Sequence, residues 1–143
     1  MMDRRQQKTR KAIFDAFTAL LAKKNYAEIT VQDIIVEANV GRSTFYDHFD
    51  TKEALLKALC SELFDHIILS AQDSSHSHGL YSDETAPDSV CLHMLQHLQK
   101  DSCYVMRLFS GENNELFMRY FRDGLLEVAR KTILIRYPSG SIP

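Results

Sequence analysis

Apolar side chains recur at intervals of three and four residues along most of the chain, which is the spacing of an amphipathic α-helix. The first such helix is predicted over residues 4–24, with an apolar face formed by Ile13, Phe14, Phe17, Leu20 and Leu21. A short second helix is predicted at 31–38, because Thr30 and Asp33 have the spacing of a capping box. Runs of alternating β-branched residues long enough for a sheet are not found, so we predict an all-α fold.

The helical pattern continues towards the C-terminus. Phe45 and Phe49, four residues apart, indicate one apolar face on a third helix at about 43–49. Asp50 and Glu53 are typical of the start of a fourth helix, at about 51–71. The Gly in "NVGR" suits a tight turn between the second and third helices. A polar connection at 72–89 is followed by helices predicted at 89–99, 101–110 and 113–136.

Composition changes this picture little. The 143 residues, 45% of them apolar, suit a globular protein with its own core. No apolar run reaches the roughly 18 residues of a membrane span, and the charged start lacks the apolar stretch of a secretory signal. Cys60, Cys91 and Cys103 have neither zinc-site nor disulfide-framework spacing. We therefore expect a cytoplasmic protein with reduced thiols, no cofactor, no metal and no membrane partner.

The charge distribution is more informative than the net charge of −2. Residues 1–60 contain ten basic and eight acidic side chains, whereas residues 61–143 contain seven and eleven. A basic first part joined to an acidic remainder favours an anionic partner at the N-terminal end. Five basic residues fall in the first eleven positions: Arg4, Arg5, Lys8, Arg10 and Lys11. They either form a solvated face, or some of Arg4, Arg5, Lys8 and Arg10 contact the phosphates of such a partner.

Two helices joined by a short Gly-containing turn, "IIVEANVGRSTFYDHF", are typical of a helix-turn-helix, whose second helix enters the DNA major groove. Phe45 and Phe49 would attach that helix to the domain and leave polar side chains on its other faces. Arg42 can make a bidentate contact with guanine, and Ser43 and Thr44 can bond to a base or a phosphate. Side chains suited to phosphate contact are Tyr46, His48 and Lys52, the last pointing outward from the start of the fourth helix.

Asp47 departs from this cationic pattern. Its carboxylate could accept a hydrogen bond from cytosine N4, repel a nearby phosphate, or simply face solvent. The sequence leaves these three alternatives open.

The segment "ITVQDIIVEANVGRSTFYDHFDTKEALLKAL" resembles the DNA-binding domain of TetR-family (tetracycline-repressor-like) transcriptional regulators over about residues 8–60. The shared features are a helix-opening Thr, a Val-Gly turn, Ser-Thr-Phe-Tyr-x-His-Phe and a Lys-Glu-x-Leu helix start. The resemblance implies a homodimeric regulator that binds double-stranded operator DNA and responds to a small-molecule effector of unknown identity. It implies a helix-turn-helix domain at 1–52 and a helical regulatory domain at 53–143.

By position, the resemblance implies a set of DNA contacts. Arg42, Ser43 and Thr44 correspond to readers at the start of the recognition helix. Tyr46, His48 and Lys52 correspond to DNA backbone contacts, and Thr30 and Gln32 to lesser phosphate contacts from the preceding helix.

The TetR-like pattern also implies two further long helices after "RYPSGSIP", which usually form the dimer interface. We expect their absence to put dimerisation of this chain in doubt and to uncover apolar surface on the 113–136 helix. The apolar stripe of residues 89–136 suits either plain core or the wall of an effector pocket.

Other functions are less well supported. The alternative is a helical ligand-binding or protein-interaction module that has lost operator binding. The sequence shows no phosphate-binding loop, nucleophile elbow or paired carboxylates, so we predict that the protein is not an enzyme. His93 and His97 have metal-ligand spacing but no third ligand, and His76 and His78 lie in a polar stretch.

Overall fold

The computed structural model describes residues 2–72, 95–96, 99–100, 102–111 and 114–137. The helices with defined bounds are α1 (Arg4–Leu21), α2 (Val31–Ala38), α3 (Arg42–His48), α4 (Lys52–Gln72), α5 (Ser102–Ser110) and α6 (Glu115–Arg136). A single 3₁₀ turn, Tyr26–Glu28, lies between α1 and α2. No strand occurs within these ranges, and the predicted all-α fold is confirmed. The connection predicted at 72–89 and most of the helix predicted at 89–99 lie outside the described residues.

Side-chain caps set where the first helices begin. Asp3 caps α1 by accepting from the Gln6 backbone N–H at 2.9 Å. The capping box predicted for α2 is confirmed: the Asp33 N–H donates to Thr30 Oγ1 at 3.1 Å, and the Thr30 N–H donates to Asp33 Oδ2 at 3.0 Å. At α4 the cap is Thr51, whose Oγ1 accepts from the Ala54 N–H at 3.0 Å.

The turn between α2 and α3 differs from the sequence-based prediction. The residue in the left-handed region is Asn39, with φ 55° and ψ 48°, which ends α2. Gly41 has φ −74° and ψ 156°, an ordinary extended conformation, and it precedes α3 as its N-terminal cap. Asparagine tolerates the left-handed region better than most residues, so the reversal takes place at Asn39 and does not need the glycine.

One buried cluster joins the helix-turn-helix to the helices that follow it. Phe17 of α1, Ile34 of α2 and Phe45 of α3 pack in it with residues from the first half of α4. Leu108 of α5 and Phe117 of α6 belong to the same cluster. The core therefore continues across residue 52, where the sequence predicts a domain boundary, and that boundary stays a prediction.

Helices α4 and α6 pack closely together at Gly124. A Cβ placed on Gly124 would lie 2.7 Å from Cγ of Phe64 and closer still to Cδ2 and Cε2 of that ring. Phe64 is buried and its ring packs edge-on against Phe121, with 5.4 Å between centroids. The missing side chain at position 124 thus lets an α4 aromatic ring lie against the α6 backbone.

Candidate nucleic-acid interface

Helix α3 has one buried side and one exposed side, as its sequence predicts. Phe45 is fully buried, and Phe49, the residue that ends the helix, is 4% exposed. Phe49 packs edge-on against Phe14 of α1 at 5.5 Å between centroids, which attaches α3 to α1. On the other faces of α3, the side chains of Arg42, Ser43, Tyr46 and Asp47 are exposed. Those of Thr44 and His48 are partly exposed.

Tyr46 is the large aromatic side chain of this surface. It is 45% exposed, and its ring packs edge-on against Phe45 at 5.4 Å between centroids. The ring is thus supported by the core on one side while the rest of the side chain faces solvent. Because the ring is held against Phe45, the tyrosine hydroxyl points in a defined direction.

Arg42 and Gln32, both predicted to contact DNA, are joined to each other. Arg42 Nη2 donates to Gln32 Oε1 at 2.6 Å, and both side chains are exposed. The contact connects the first residue of α3 with the second residue of α2. Thr30, one residue before α2, is exposed, and its Oγ1 serves as the helix cap.

Lys52 does not point outward, which corrects the sequence-based prediction of its orientation. Its ammonium donates to the backbone carbonyls of Tyr26 at 2.9 Å and Ile29 at 2.8 Å, and it lies 4.2 Å from the centre of the Tyr26 ring. Partial burial lowers the pKa of Lys52 because the charged form loses hydration. Two of the three ammonium N–H groups are therefore engaged within the protein, and a phosphate contact by the third stays a prediction.

Arg10, one of the basic residues at the start of the chain, is also held internally. Its guanidinium lies 5.0 Å from the Phe14 ring centre and 4.9 Å from that of Phe49, and it pairs with Glu62 of α4 at 3.0 Å. Arg10 thus links α1, α4 and the end of α3. Its charge is shared with Glu62, which makes it a weaker candidate for phosphate contact than the exposed Arg4, Arg5 and Lys8.

Comparison with known proteins agrees with this geometry. The family model described as "Bacterial regulatory proteins, tetR family" matches residues 13–59. The crystal structure of a TetR transcriptional regulator from Streptococcus agalactiae 2603V is 35% identical, with a TM-score of 0.67, over 99% of this chain and 74% of that one. The chain belongs to the TetR family. The family resemblance found in the sequence is thereby confirmed.

Other relatives of this TetR-family chain align with it over a smaller share of their own length. The uncharacterized HTH-type transcriptional regulator YxbF of Bacillus subtilis is 41% identical over 81 residues, which are 53% of this chain and 21% of that protein. The dhaKLM operon transcriptional activator DhaS of Lactococcus lactis is 28% identical over 106 residues, which are 74% of this chain and 51% of that protein. The chain thus spans about half or less of the length of these curated relatives. A regulator from Aquifex aeolicus, 20% identical with a TM-score of 0.70, shows the same fold.

A polar groove of about 480 Å³ separates the start of α1 from α3 in this TetR-family protein. Its walls include Arg5 and Thr9 on α1 and Thr44, Asp47 and His48 on α3. The basic start of the chain therefore lies beside α3, the predicted recognition helix. The spacing of these residues in the sequence does not show that they are close in space.

Sequence reasoning missed the internal partners of these cations. The carbonyls that bind Lys52 precede it by 26 and 23 positions, and Glu62 follows Arg10 by 52. No local signal reports contacts at such separations. The histidine pairs that the sequence analysis considered for metal binding, His76/His78 and His93/His97, lie outside the described residues. Within the described residues there is no cluster of three potential metal ligands.

Proposed function

We propose that this chain binds double-stranded operator DNA in a sequence-specific way and thereby regulates transcription. The observation that carries the proposal is the two-sided helix α3, which packs Phe45 into the core and exposes Arg42, Ser43 and Tyr46. A short helix supported from behind and polar in front fits a major groove, where its first residues reach base edges. The relatives named above as transcriptional regulators support the same role.

We assign the DNA contacts by their place on this surface. Arg42, Ser43 and Thr44 stand in the first turn of α3 and read bases. Tyr46 and His48 contact phosphates from its last turn, and Thr30 and Gln32 contribute from the start of α2. Lys52 contributes chiefly by supporting the residues that precede α2, since its ammonium is bound to their carbonyls.

Operator binding by a TetR-family protein also involves symmetry. We infer that two copies bind together in the cytoplasm and place their α3 helices in successive major grooves, about 34–36 Å apart, on a palindromic site. None of the described helices is long and apolar enough to cross a bilayer. Sedimentation with and without a selected duplex measures whether two copies assemble on it.

An effector would act from the helices behind the DNA-binding surface. Helices α4, α5 and α6 enclose an apolar cavity of about 10 Å³, lined by Leu59, Cys60, Leu63, Phe64, Tyr104, Val105, Leu108, Phe117 and Phe121. That volume holds about one water molecule, so a small-molecule effector must move these side chains apart to enter. We infer an apolar effector, whose binding is measurable as a rise in unfolding temperature.

The decisive experiment is selection of bound sequences from a pool of randomised duplexes, followed by gel-shift of the enriched duplex across salt concentrations. Operator binding predicts one enriched palindromic motif and an affinity that falls steeply with salt. Arg42→Ala should relax the preference at one base pair per half-site, at a cost of about 1–3 kcal/mol. A module that had lost operator binding would enrich no motif, and that result would reject the proposal.

A further inference from the structure

An arginine–glutamine pair connects α2 and α3 on the exposed side of the helix-turn-helix. Arg42 Nη2 donates to Gln32 Oε1 at 2.6 Å. Both side chains are exposed to solvent, so the packing of a buried site does not force them together. It joins two residues that are ten positions apart, across the turn that ends at Gly41.

This bond determines which hydrogen-bonding groups the pair can offer to DNA. A free glutamine reads adenine with one donor and one acceptor. Arg42 occupies one of the two lone pairs of Gln32 Oε1, and the N–H bonds left to face outward are those of the Gln32 amide and of the rest of the guanidinium. All of these are donors. Adenine and cytosine each present an amino donor in the major groove, whereas guanine presents two acceptors, N7 and O6.

We propose that Gln32 is a positioning residue that, acting through Arg42, makes the pair a reader of one guanine in each half-site, presenting mainly donors to the groove. The inference rests on the proposed function and refines it. An arginine side chain has many rotamers, and ordering it when DNA binds costs entropy. The bond to Gln32 holds the guanidinium in place before DNA arrives, so the discrimination in favour of guanine increases.

The selected duplex described above is the probe, with every base pair of one half-site changed in turn. The wild-type chain should lose about 5- to 150-fold in affinity when the guanine read by Arg42 is replaced, the fold-change of one good bidentate contact. Gln32→Ala should lower that discrimination about 2- to 10-fold, the lower range for coupling between residues in contact. The double variant Gln32→Ala/Arg42→Ala should distinguish guanine from the other bases no less well than Arg42→Ala alone, because Gln32 acts only through Arg42.

A conservative variant separates positioning from direct phosphate contact. Gln32→Glu keeps an acceptor for Arg42 and should keep the preference for guanine, while its added charge lowers affinity for every duplex. Gln96→Ala, the same change at an exposed glutamine outside the interface, is the matched control and should alter neither quantity. Because Gln32 is exposed, circular dichroism should show unchanged helix content in all variants.

Two results would overturn the inference in distinguishable ways. If Gln32→Ala weakens binding to all duplexes equally and its effect multiplies that of Arg42→Ala, Gln32 acts independently and does not position Arg42. If no duplex is enriched by the wild-type chain, the proposed operator binding fails, and this inference fails with it.

Discussion

The ammonium group of Lys52 lies 4.2 Å from the centre of the Tyr26 ring and donates a hydrogen bond to the backbone carbonyl of the same residue. A second bond, to the Ile29 carbonyl, brings Lys52 to the residue just before the Thr30 cap of α2. The first residue of α4 thus supports the chain segment that leads into the helix-turn-helix. A cation expected at the DNA surface has a structural role in the protein itself.

Removing this ammonium should therefore reduce stability. Lys52→Met keeps much of the side chain but removes the ammonium donor from the Ile29 carbonyl and one of the two donors from the Tyr26 carbonyl, which still accepts from the Ile29 N–H. Together with loss of the contact with the Tyr26 ring, we expect this to lower the free energy of unfolding by about 1–3 kcal/mol. Urea unfolding followed by circular dichroism measures it. Tyr26→Phe is the matched control: it retains the ring and the carbonyl and removes a buried hydroxyl that has no hydrogen-bond partner among the described residues, so it should cost little. If Lys52→Met were as stable as wild type and only the salt dependence of DNA binding changed, Lys52 would be a phosphate contact instead.

Gly124→Ala should destabilise the packing of α4 on α6. The new methyl group would overlap the Phe64 ring, and overpacking of this kind costs about 1–3 kcal/mol. We expect this cost to exceed the roughly 1 kcal/mol by which the higher helix propensity of alanine over glycine stabilises a helix. Thermal unfolding compares the two proteins. Phe64→Leu in the same chain should recover part of the loss, and strictly additive effects of the two changes would argue against the contact.

Asn39 should accept glycine but not alanine. Its φ of 55° lies in the left-handed region, which costs about 1–2 kcal/mol for a residue with a Cβ and no compensating polar group. Asn39→Ala is thus expected to lower the free energy of unfolding by about 1 kcal/mol, while Asn39→Gly leaves it nearly unchanged. Equal urea midpoints for the two variants would show that the turn does not depend on this conformation.

The α2 cap should make stability sensitive to acid. The Thr30 backbone N–H bound to Asp33 lowers the pKa of that carboxyl below its ordinary 3.8, with a further contribution from Lys24. Since the pKa is lower in the folded state, the stabilisation is present above the ordinary value and is lost as pH falls through the lowered one. The stability difference between wild type and Asp33→Asn should therefore be seen at neutral pH and should shrink below about pH 4. Asp65→Asn, at an exposed position of α4, serves as the control in the same urea titrations.

Tyr46→Phe should weaken binding to every duplex by a similar factor. The change removes one hydroxyl from an exposed ring, and a hydrogen bond to a charged phosphate contributes about 1.5–3 kcal/mol. Since both side chains are neutral, the slope of log affinity against log salt should stay the same. Gel-shift on selected and random duplexes tests this, with Tyr137→Phe at the end of α6 as a control far along the chain. A loss confined to one base pair would instead make Tyr46 a base reader.

Local sequence was sufficient for much of the fold. Phe45 and Phe49, four residues apart, are both buried, as their spacing predicts. Thr30 and Asp33 form their capping box because each bond joins groups three residues apart, within reach of one helical turn. The turn was assigned to the wrong residue, because both Asn39 and Gly41 are compatible with a reversal and only the actual backbone path shows that Asn39 adopts it.

The sequence by itself determined the helices, the side of α3 that faces the core and the TetR-family signature, because these depend on periodicity and on motifs within a few residues. Only the tertiary structure decided the partners of the cations: Gln32 for Arg42, the carbonyls of Tyr26 and Ile29 for Lys52, and Glu62 for Arg10. The physical reason is that a long cationic side chain can reach many acceptors. The choice among them depends on which distant segments packing brings within hydrogen-bonding distance.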